Sequence, residues 1–149
     1  MTQTIREATL ADVPALMSLY EDAGLDAPGE NDRSAAAALW KAVRAVGGVV
    51  LVAEREGRVL GTLTFFVWPL LAHGGRPGAL VEDVAVHPDA QGLGIGRALM
   101  DEAMARATQA GCYKLALSSN AKRTEAHAFY ERLGYGRHGV SFAVALEDA

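Results

Sequence analysis

The segment with the clearest chemical potential is Gln91-Gly92-Leu93-Gly94-Ile95-Gly96-Arg97, which follows Leu80-Val81-Glu82-Asp83-Val84-Ala85-Val86-His87-Pro88 and opens a stretch of helical periodicity. Glycines let a backbone approach a ligand closely, and the first amides of a helix lack intrahelical acceptors and carry partial positive charge. A strand, a glycine-rich turn and a helix N-terminus in that order suit a phosphate or pyrophosphate. The spacing excludes two common versions of such a site. A nucleoside-triphosphate loop needs Gly-Lys-Ser/Thr, whereas Gly96 is followed by Arg97-Ala98. A dinucleotide fold needs Gly-x-Gly-x-x-Gly, whereas Gly92, Gly94 and Gly96 alternate, and counting from Gly94 puts Leu99 at the third position. A plain turn before an ordinary helix would have to bear the backbone entropy of three closely spaced glycines.

The elements that hold this turn read from hydrophobic periodicity. Residues 4–8 form a first strand, and Thr9-Leu10-Ala11-Asp12 reads as a capping box opening a helix to about Ala23. Asp32 or Ser34 caps a second helix that runs to about Val46. Residues 49–54 and 59–68 form a hairpin turning at Gly57-Arg58, and Pro69 ends its second strand. A loop through residues 73–78 leads to a strand over 80–86, then a helix over 94–110 with Leu99, Met100, Ala103, Met104, Ala107 and Ala110 on one face. A strand over 113–118, a helix over 124–133 and a last alternating strand over 140–146 complete the chain. The order β, α, α, β, β, β, α, β, α, β implies an α/β fold with a mixed sheet and helices on both faces.

Composition bounds the function. The 149 residues are half hydrophobic and 21% charged, so a single domain over residues 1–149 is expected. A net charge of −4 argues against a nucleic-acid partner. The one cysteine, Cys112, reads as a buried thiol and fits a reducing compartment. The N-terminus lacks the pattern of a signal peptide, and no run approaches the ~20 apolar residues of a membrane span, so a cytoplasmic protein is expected. His73, His87, His127 and His138 show no ligand spacing with each other or with Cys112, so no metal is expected.

Gln91-Gly92-Leu93-Gly94-Ile95-Gly96 resembles the Gln/Arg-x-x-Gly-x-Gly/Ala turn of the GNAT acetyltransferase superfamily. Val84-Ala85-Val86-His87-Pro88 resembles the strand before that turn, and Asn120 with Ala126-His127-Ala128-Phe129-Tyr130-Glu131-Arg132-Leu133-Gly134-Tyr135 resembles the family's second block. The specific motifs lie in residues 80–135, with only a generic match before Val49. The resemblance implies a central, mostly antiparallel mixed sheet, flanked by helices and splayed to leave a cleft for acetyl-CoA. It implies that the amides of residues 92–97 (Gly92, Leu93, Gly94, Ile95, Gly96 and Arg97) hold the pyrophosphate, that Gln91 shapes the turn, and that the Val84 and Val86 backbone pairs with the pantetheine arm. Asn120 is similar to the residue whose amide bonds the pantetheine, and its ordinary alternative is a cap or turn residue.

By the same resemblance, acetyl transfer to an amine assigns three roles. A base must free the amine of its proton. Glu82 and Asp83 are candidates, and pleating would send them to opposite faces, with Glu82 favoured and Asp83 as alternative or amine anchor. Both could instead form ion pairs or solvate a strand end. A strand amide at Val84 or Ala85 would hold the developing oxyanion. Tyr130 matches the tyrosine beside the sulfur, although it also lies on the apolar stripe of its helix, where a core tyrosine would sit. A phenol near ~10 facing a thiol near ~8.5 makes full proton transfer uphill by about 2 kcal/mol, so a hydrogen bond to the thiolate is the better description.

Two branches look closest. Residues 81–86 with Gly111-Cys112-Tyr113-Lys114-Leu115 resemble glucosamine-6-phosphate N-acetyltransferases, and residues 117–123 with 126–130 are similar to aminoalkylphosphonate N-acetyltransferases. The resemblance therefore implies a small-molecule primary amine acceptor. An anionic one is preferred because Lys122, Arg123 and Arg76 could reach the open side of the cleft. Aminoglycosides, protein amines and a non-catalytic acetyl-CoA sensor or partner-binding domain are the competing readings. Such proteins are often dimers, and residues 140–146 are apolar enough for a packing or exchange surface, which makes a homodimer the expected assembly.

Overall fold

The computed structural model describes residues 2–119 and 122–146, which fall in two compact units, residues 1–117 and 118–149. In the first, strands β1 (Gln3–Glu7), β2 (Val49–Arg55), β3 (Arg58–Trp68), β4 (Gly78–Val86) and β5 (Leu115–Leu117) lie in that order in one sheet. The first three junctions are antiparallel and β4 pairs with β5 in parallel. The mixed, mostly antiparallel sheet expected from the sequence is present. The β2–β3 hairpin turns at Glu56 and Gly57, with φ of 52° and 76°, one residue earlier than the sequence reading placed it. Two consecutive left-handed residues supply the twist that a two-residue hairpin needs.

Strand alternation decides which helix covers which face. Val50 and Val52, paired with Thr64 and Thr62, pack with Ala8, Leu16, Tyr20, Trp40 and Val43, so this face carries α1 (Val13–Asp22) and α2 (Ala36–Ala45). Ala53 and its partner Gly61 turn the other way, toward α3 (Ile95–Gln109). A β-carbon on Gly61 would lie 2.5 Å from Ile95 Cγ2 and 3.1 Å from Leu99 Cδ1, so only glycine lets α3 lie this close. Ile95, Leu99, Met100, Ala103 and Ala107 are the buried row of α3. The row begins one turn earlier than the sequence count, leaving Met104 exposed.

The second unit holds α4 (Thr124–Arg132). Residues 140–146, expected as a last strand, are irregular here. Val140, Phe142, Val144 and Leu146 are exposed at 78%, 92%, 80% and 92%. The period of two is real, but a strand exists only by laddering with another, and this unit has no strand among its described residues to pair with.

One charged group ties the start of the chain together. The Arg6 guanidinium on β1 donates to both Asp12 oxygens at 2.8 and 2.9 Å and to Glu54 on β2 at 2.9 Å. Asp12 also accepts from the Thr9 amide at 2.7 Å, closing the capping box of the short 3-10 turn, Leu10–Asp12, that leads into α1. The Arg6 bonds, with help from Thr9 against some burial, hold the Asp12 carboxyl at about 2. A depressed carboxylate stabilises the fold above its unfolded value and loses that contribution as pH falls toward the folded one. Asp12→Asn is therefore expected to cost roughly 1–2 kcal/mol at neutral pH, discounted for the partly exposed Arg6. The gap from wild type should narrow between about pH 4 and pH 2, as read by urea unfolding at each pH.

Candidate active site

Strand β4 changes its partners partway along. Its parallel pairing to β5 covers only Ala79↔Leu115, Leu80↔Ala116 and Val81↔Leu117, after which β4 runs on to Val86. Along residues 82–86 that edge has no strand partner among the described residues. On the other side the amide of His87 donates to Leu60 O at 2.8 Å, so strand alternation turns the Val86 backbone toward the open edge, and that of Val84 with it. Ala85 pairs with Thr62 of β3 and is buried.

The turn after β4 is braced at both ends. Gln91 donates its side-chain amide to Val86 O at 3.3 Å, which folds residues 87–91 back on the strand. His87 accepts from the Asp89 amide at 3.1 Å through Nδ1, which leaves the neutral ring's proton on Nε2, facing Asp22 at the end of α1 at 3.5 Å. Gly92 and Gly94 take φ of 79° and 78°, and a β-carbon on either would meet nothing within 4 Å, so the backbone there is open to a ligand. Gly94 caps α3, Ile95 plugs into the core, Leu93 faces solvent, and the exposed Arg97 pairs loosely with Asp101 at 3.9 Å. The amides of Ile95, Gly96 and Arg97 form the free first turn of α3.

At the middle of β4 the register with β3 slips: Thr62 pairs with Ala85 and Thr64 with Glu82, leaving Asp83 and Val84 opposite one residue. This is a β-bulge, with Asp83 at φ 53° in the left-handed position that glycine usually takes and that aspartate tolerates better than most residues. Simple pleating would have separated Glu82 and Asp83. Instead Glu82 shares the Thr64 register, on the face of α1, and Asp83 lies within electrostatic reach of Tyr20 and Asp26. Asp83 keeps an open path to solvent, yet its carboxyl is partly desolvated by its surroundings. That desolvation, with the Asp26 carboxylate nearby, raises its proton affinity. Tyr20 is pushed up to about 12 by burial and by the same two carboxylates, with a hydrogen bond to the Thr64 side chain acting the other way.

Tyr130 belongs to the second unit, on α4, where its ring stands edge-on to Phe129 at 5.1 Å and to Tyr135 at 6.0 Å. Burial pushes its hydroxyl up, and the Arg123 guanidinium offsets part of that. Asn120 lies outside the described residues. Arg76 donates to His73 O at 3.2 Å and sits over the Tyr113 ring at 5.9 Å, beside Lys114 at 5.4 Å. The Tyr20, Asp26 and Thr64 group carries no local signal in the sequence. Tyr20 falls on the apolar row of α1 and Thr64 in the middle of β3, and only the order of the sheet joins them to Asp83.

An open strand edge beside a glycine turn and a helix N-terminus is the site of a protein that takes an extended, phosphate-bearing chain alongside its sheet. Residues 15–135 match the profile of the Acetyltransferase (GNAT) family, and the chain belongs to that family, whose enzymes use acetyl-CoA as co-substrate. It is 37% identical over 85 residues to the glucosamine 6-phosphate N-acetyltransferase of Trypanosoma brucei brucei, across 57% of this chain and 56% of that one. The chain thus spans a little over half the length of that relative. It is 32% identical to aminoglycoside N(6')-acetyltransferase type 1 of Stenotrophomonas maltophilia over 98% of this chain and 95% of the other. The crystal structure of a Trypanosoma brucei acetyltransferase superposes with a TM-score of 0.86 at 26% identity, covering 97% of this chain and 100% of that one.

The residues present fit acetyl-CoA: an unpaired edge for an extended amide-bearing arm, and open glycines with free amides for a pyrophosphate. Gly94→Ala puts a side chain on a left-handed cap at a strain of roughly 1 kcal/mol. It is expected to lower the melting temperature slightly and to weaken acetyl-CoA binding about tenfold, measured by calorimetric titration.

Proposed function

We propose that the protein catalyses acetyl-CoA-dependent N-acetylation of a small-molecule primary amine by direct attack on the thioester. The observation that carries this reading is the β4 bulge, which sets Glu82 and Asp83 at the start of an open strand edge. Acetyl-CoA supplies an activated acetyl group as a thioester. In this reading Gly92, Leu93, Gly94, Ile95, Gly96 and Arg97 hold its pyrophosphate, with Gln91 bracing the turn and Val84, Val86 and Asn120 holding the pantetheine arm.

Asp83 takes the proton from the incoming ammonium, and Glu82 flanks it. The raised proton affinity of Asp83 suits it to take that proton, and we place it ahead of Glu82, the carboxylate that the sequence reading favoured. As the neutral amine forms its C–N bond, the Val84 amide meets the charge developing on the carbonyl oxygen. The C–S bond then breaks, the acylated nitrogen gives up its extra proton as the departing thiolate takes one up, and Tyr130, whose raised proton affinity keeps it a phenol at neutral pH, donates a hydrogen bond to that sulfur. Residues 1–149 act as one catalytic domain, an arrangement supported by a family match that runs through both units.

The acceptor we favour carries an anionic group besides its amine. The glucosamine 6-phosphate relative and the cations Arg76, Lys122 and Arg123 support this, and Asp83 with Asp26 suits the ammonium end of the same molecule. We infer a cytoplasmic homodimer, supported by the absence, among the described residues, of any helix long and apolar enough to cross a membrane, and by the exposed apolar residues 140, 142, 144 and 146.

The test is an acetyl-CoA thermal shift combined with thiol release across amino-sugar phosphates, aminoalkylphosphonates and aminoglycosides. Stabilisation and release with a phosphoryl amine are expected; release with neutral or polycationic amines alone would overturn the anionic preference, and stabilisation without release would favour a sensor. Asp83→Asn should lower kcat/KM by about 10²-fold or more, and Tyr130→Phe should lower kcat by roughly 10- to 100-fold with little change in acetyl-CoA binding.

A further inference from the structure

A row of rings crosses one face of the sheet at the end away from the glycine turn. Phe66 and Trp68 of β3 alternate with Thr64 onto the face of α1 and α2, and their rings stack with centroids 5.3 Å apart and 6° between planes. A β-carbon on Gly48 would lie 2.8 Å from Phe66 Cε1 and 2.7 Å from Val43 Cγ1, so Phe66 is wedged against α2, while Trp68 stays 42% exposed. Across the ladder Phe66 pairs with Leu80 and Trp68 with Gly78. A β-carbon on Gly78 would project to the same side as its partner Trp68 and would meet Leu70 Cδ1 at 3.5 Å and Tyr113 Cε1 at 3.7 Å, which puts the Tyr113 ring on this face as well. His73 stacks on Tyr113 at 4.0 Å and 14°. The β3–β4 loop doubles back through left-handed His73, Gly74 and Gly75, with φ of 58°, 69° and 75°, and sets the Arg76 guanidinium 5.9 Å from the centre of the same ring, with Lys114 Nζ at 5.4 Å. Both cations are exposed, and neither has an ion-pair partner among the described residues.

We propose that this row is the subsite for the non-reacting end of the acceptor, and that the acceptor is a ring-bearing amine with an anionic group, of the amino-sugar phosphate kind. The apolar face of its ring lies on Phe66 and Trp68, and its anion reaches Arg76 and Lys114 beside Tyr113. This rests on reading the β4 bulge as the place of acyl transfer. Gly78, Leu80 and Glu82 alternate onto one face, so the row leads along β4 to the bulge, with Glu82 roughly 7 Å beyond the Leu80 register and roughly 13 Å beyond that of Gly78. Carboxylates at one end of this track and unpaired cations at the other complement a molecule whose ammonium and anion are held apart by a ring. The C–H face of a sugar ring covers aromatic surface that water would otherwise wet, and a guanidinium and an ammonium without carboxylate partners are free for charge-assisted hydrogen bonds to a phosphoryl group. A short acyclic amine leaves the rings uncovered.

The experiment is steady-state thiol release at saturating acetyl-CoA for the full chain and its Trp68→Ala, Arg76→Gln and Lys114→Gln variants, with glucosamine 6-phosphate, glucosamine and aminomethylphosphonate as acceptors. The wild type is expected to show kcat/KM about tenfold or more higher for the sugar phosphate than for either other amine. Arg76→Gln and Lys114→Gln each raise KM for the sugar phosphate about tenfold with kcat little changed, and leave glucosamine unaffected. Trp68→Ala raises KM for both sugars roughly fivefold and spares the phosphonate. A merely structural role would affect all three amines alike. Equal losses on all three, unchanged KM in every variant, or a wild type that acetylates only other amines overturns the subsite and leaves acetyl transfer standing. Unchanged KM with an altered sedimentation coefficient would make the row an interface between copies of this chain, which also overturns it. A wild-type protein that neither binds acetyl-CoA nor releases thiol overturns both readings. Lys114→Gln removes only an exposed charge, so the proposal stays open to refutation even if Trp68→Ala fails to fold.

Discussion

Strand β4 serves two structures at once, and the rest of the site depends on how it divides that duty. Along its first half both edges are satisfied, by β3 on one side and by β5 on the other. From Glu82 onward one edge is given up, which leaves backbone groups that need a partner. An extended ligand with amide groups of its own meets that need by the same ladder that holds a sheet together. Water can meet that need in the free protein, and in the proposed reading an extended ligand replaces it. The pyrophosphate turn follows within a few residues of the strand end, so one molecule can satisfy the edge and the helix N-terminus together.

The bulge is the second consequence of that strand. An extra residue in β4 puts Asp83 in a left-handed conformation that costs backbone energy and is compensated by the packing on either side. It also breaks the alternation that would otherwise separate Asp83 from Glu82 by simple pleating. The two carboxylates are not equivalent. Asp83 is partly desolvated and has the Asp26 carboxylate nearby, so its proton affinity is raised above that of an ordinary aspartate. A group with that environment can accept a proton from an ammonium more readily than an ordinary surface carboxylate.

The succession of elements as far as α4, most of the α3 face and the glycine turn after β4 were legible in the sequence because each depends on local pattern: alternation, i to i+4 rows, and glycines at a strand-to-helix junction. Three features were not. The hairpin turn moved to Glu56-Gly57 because a non-glycine residue took a left-handed conformation, which residue type alone does not reveal. Residues 140–146 keep their alternation and form no strand, because pairing is a property of two segments and the pattern describes one. Tyr20 and Thr64 read as core, an α1 residue at helical spacing and a threonine inside an apolar strand, since their chemistry arises only when the sheet brings them to Asp83.

The same reasoning explains why the helices before β2 matter to a reaction whose signature lies in residues 80–135. Signature residues bind what all family members share, and the shared part of the ligand runs along β4 and into the turn before α3. The acceptor differs among members, so the elements that recognise it cannot carry a common motif. In the proposed reading, the end of α1 and the segment that Tyr20 and Asn31 tie to it are such elements. They are anchored by a hydrogen-bond network from Arg6 through Asp12 at one end of α1 and by the core contacts of Tyr20 at the other. An α1 held at both ends in this way is fixed against the face of the sheet that carries Thr64 and Glu82.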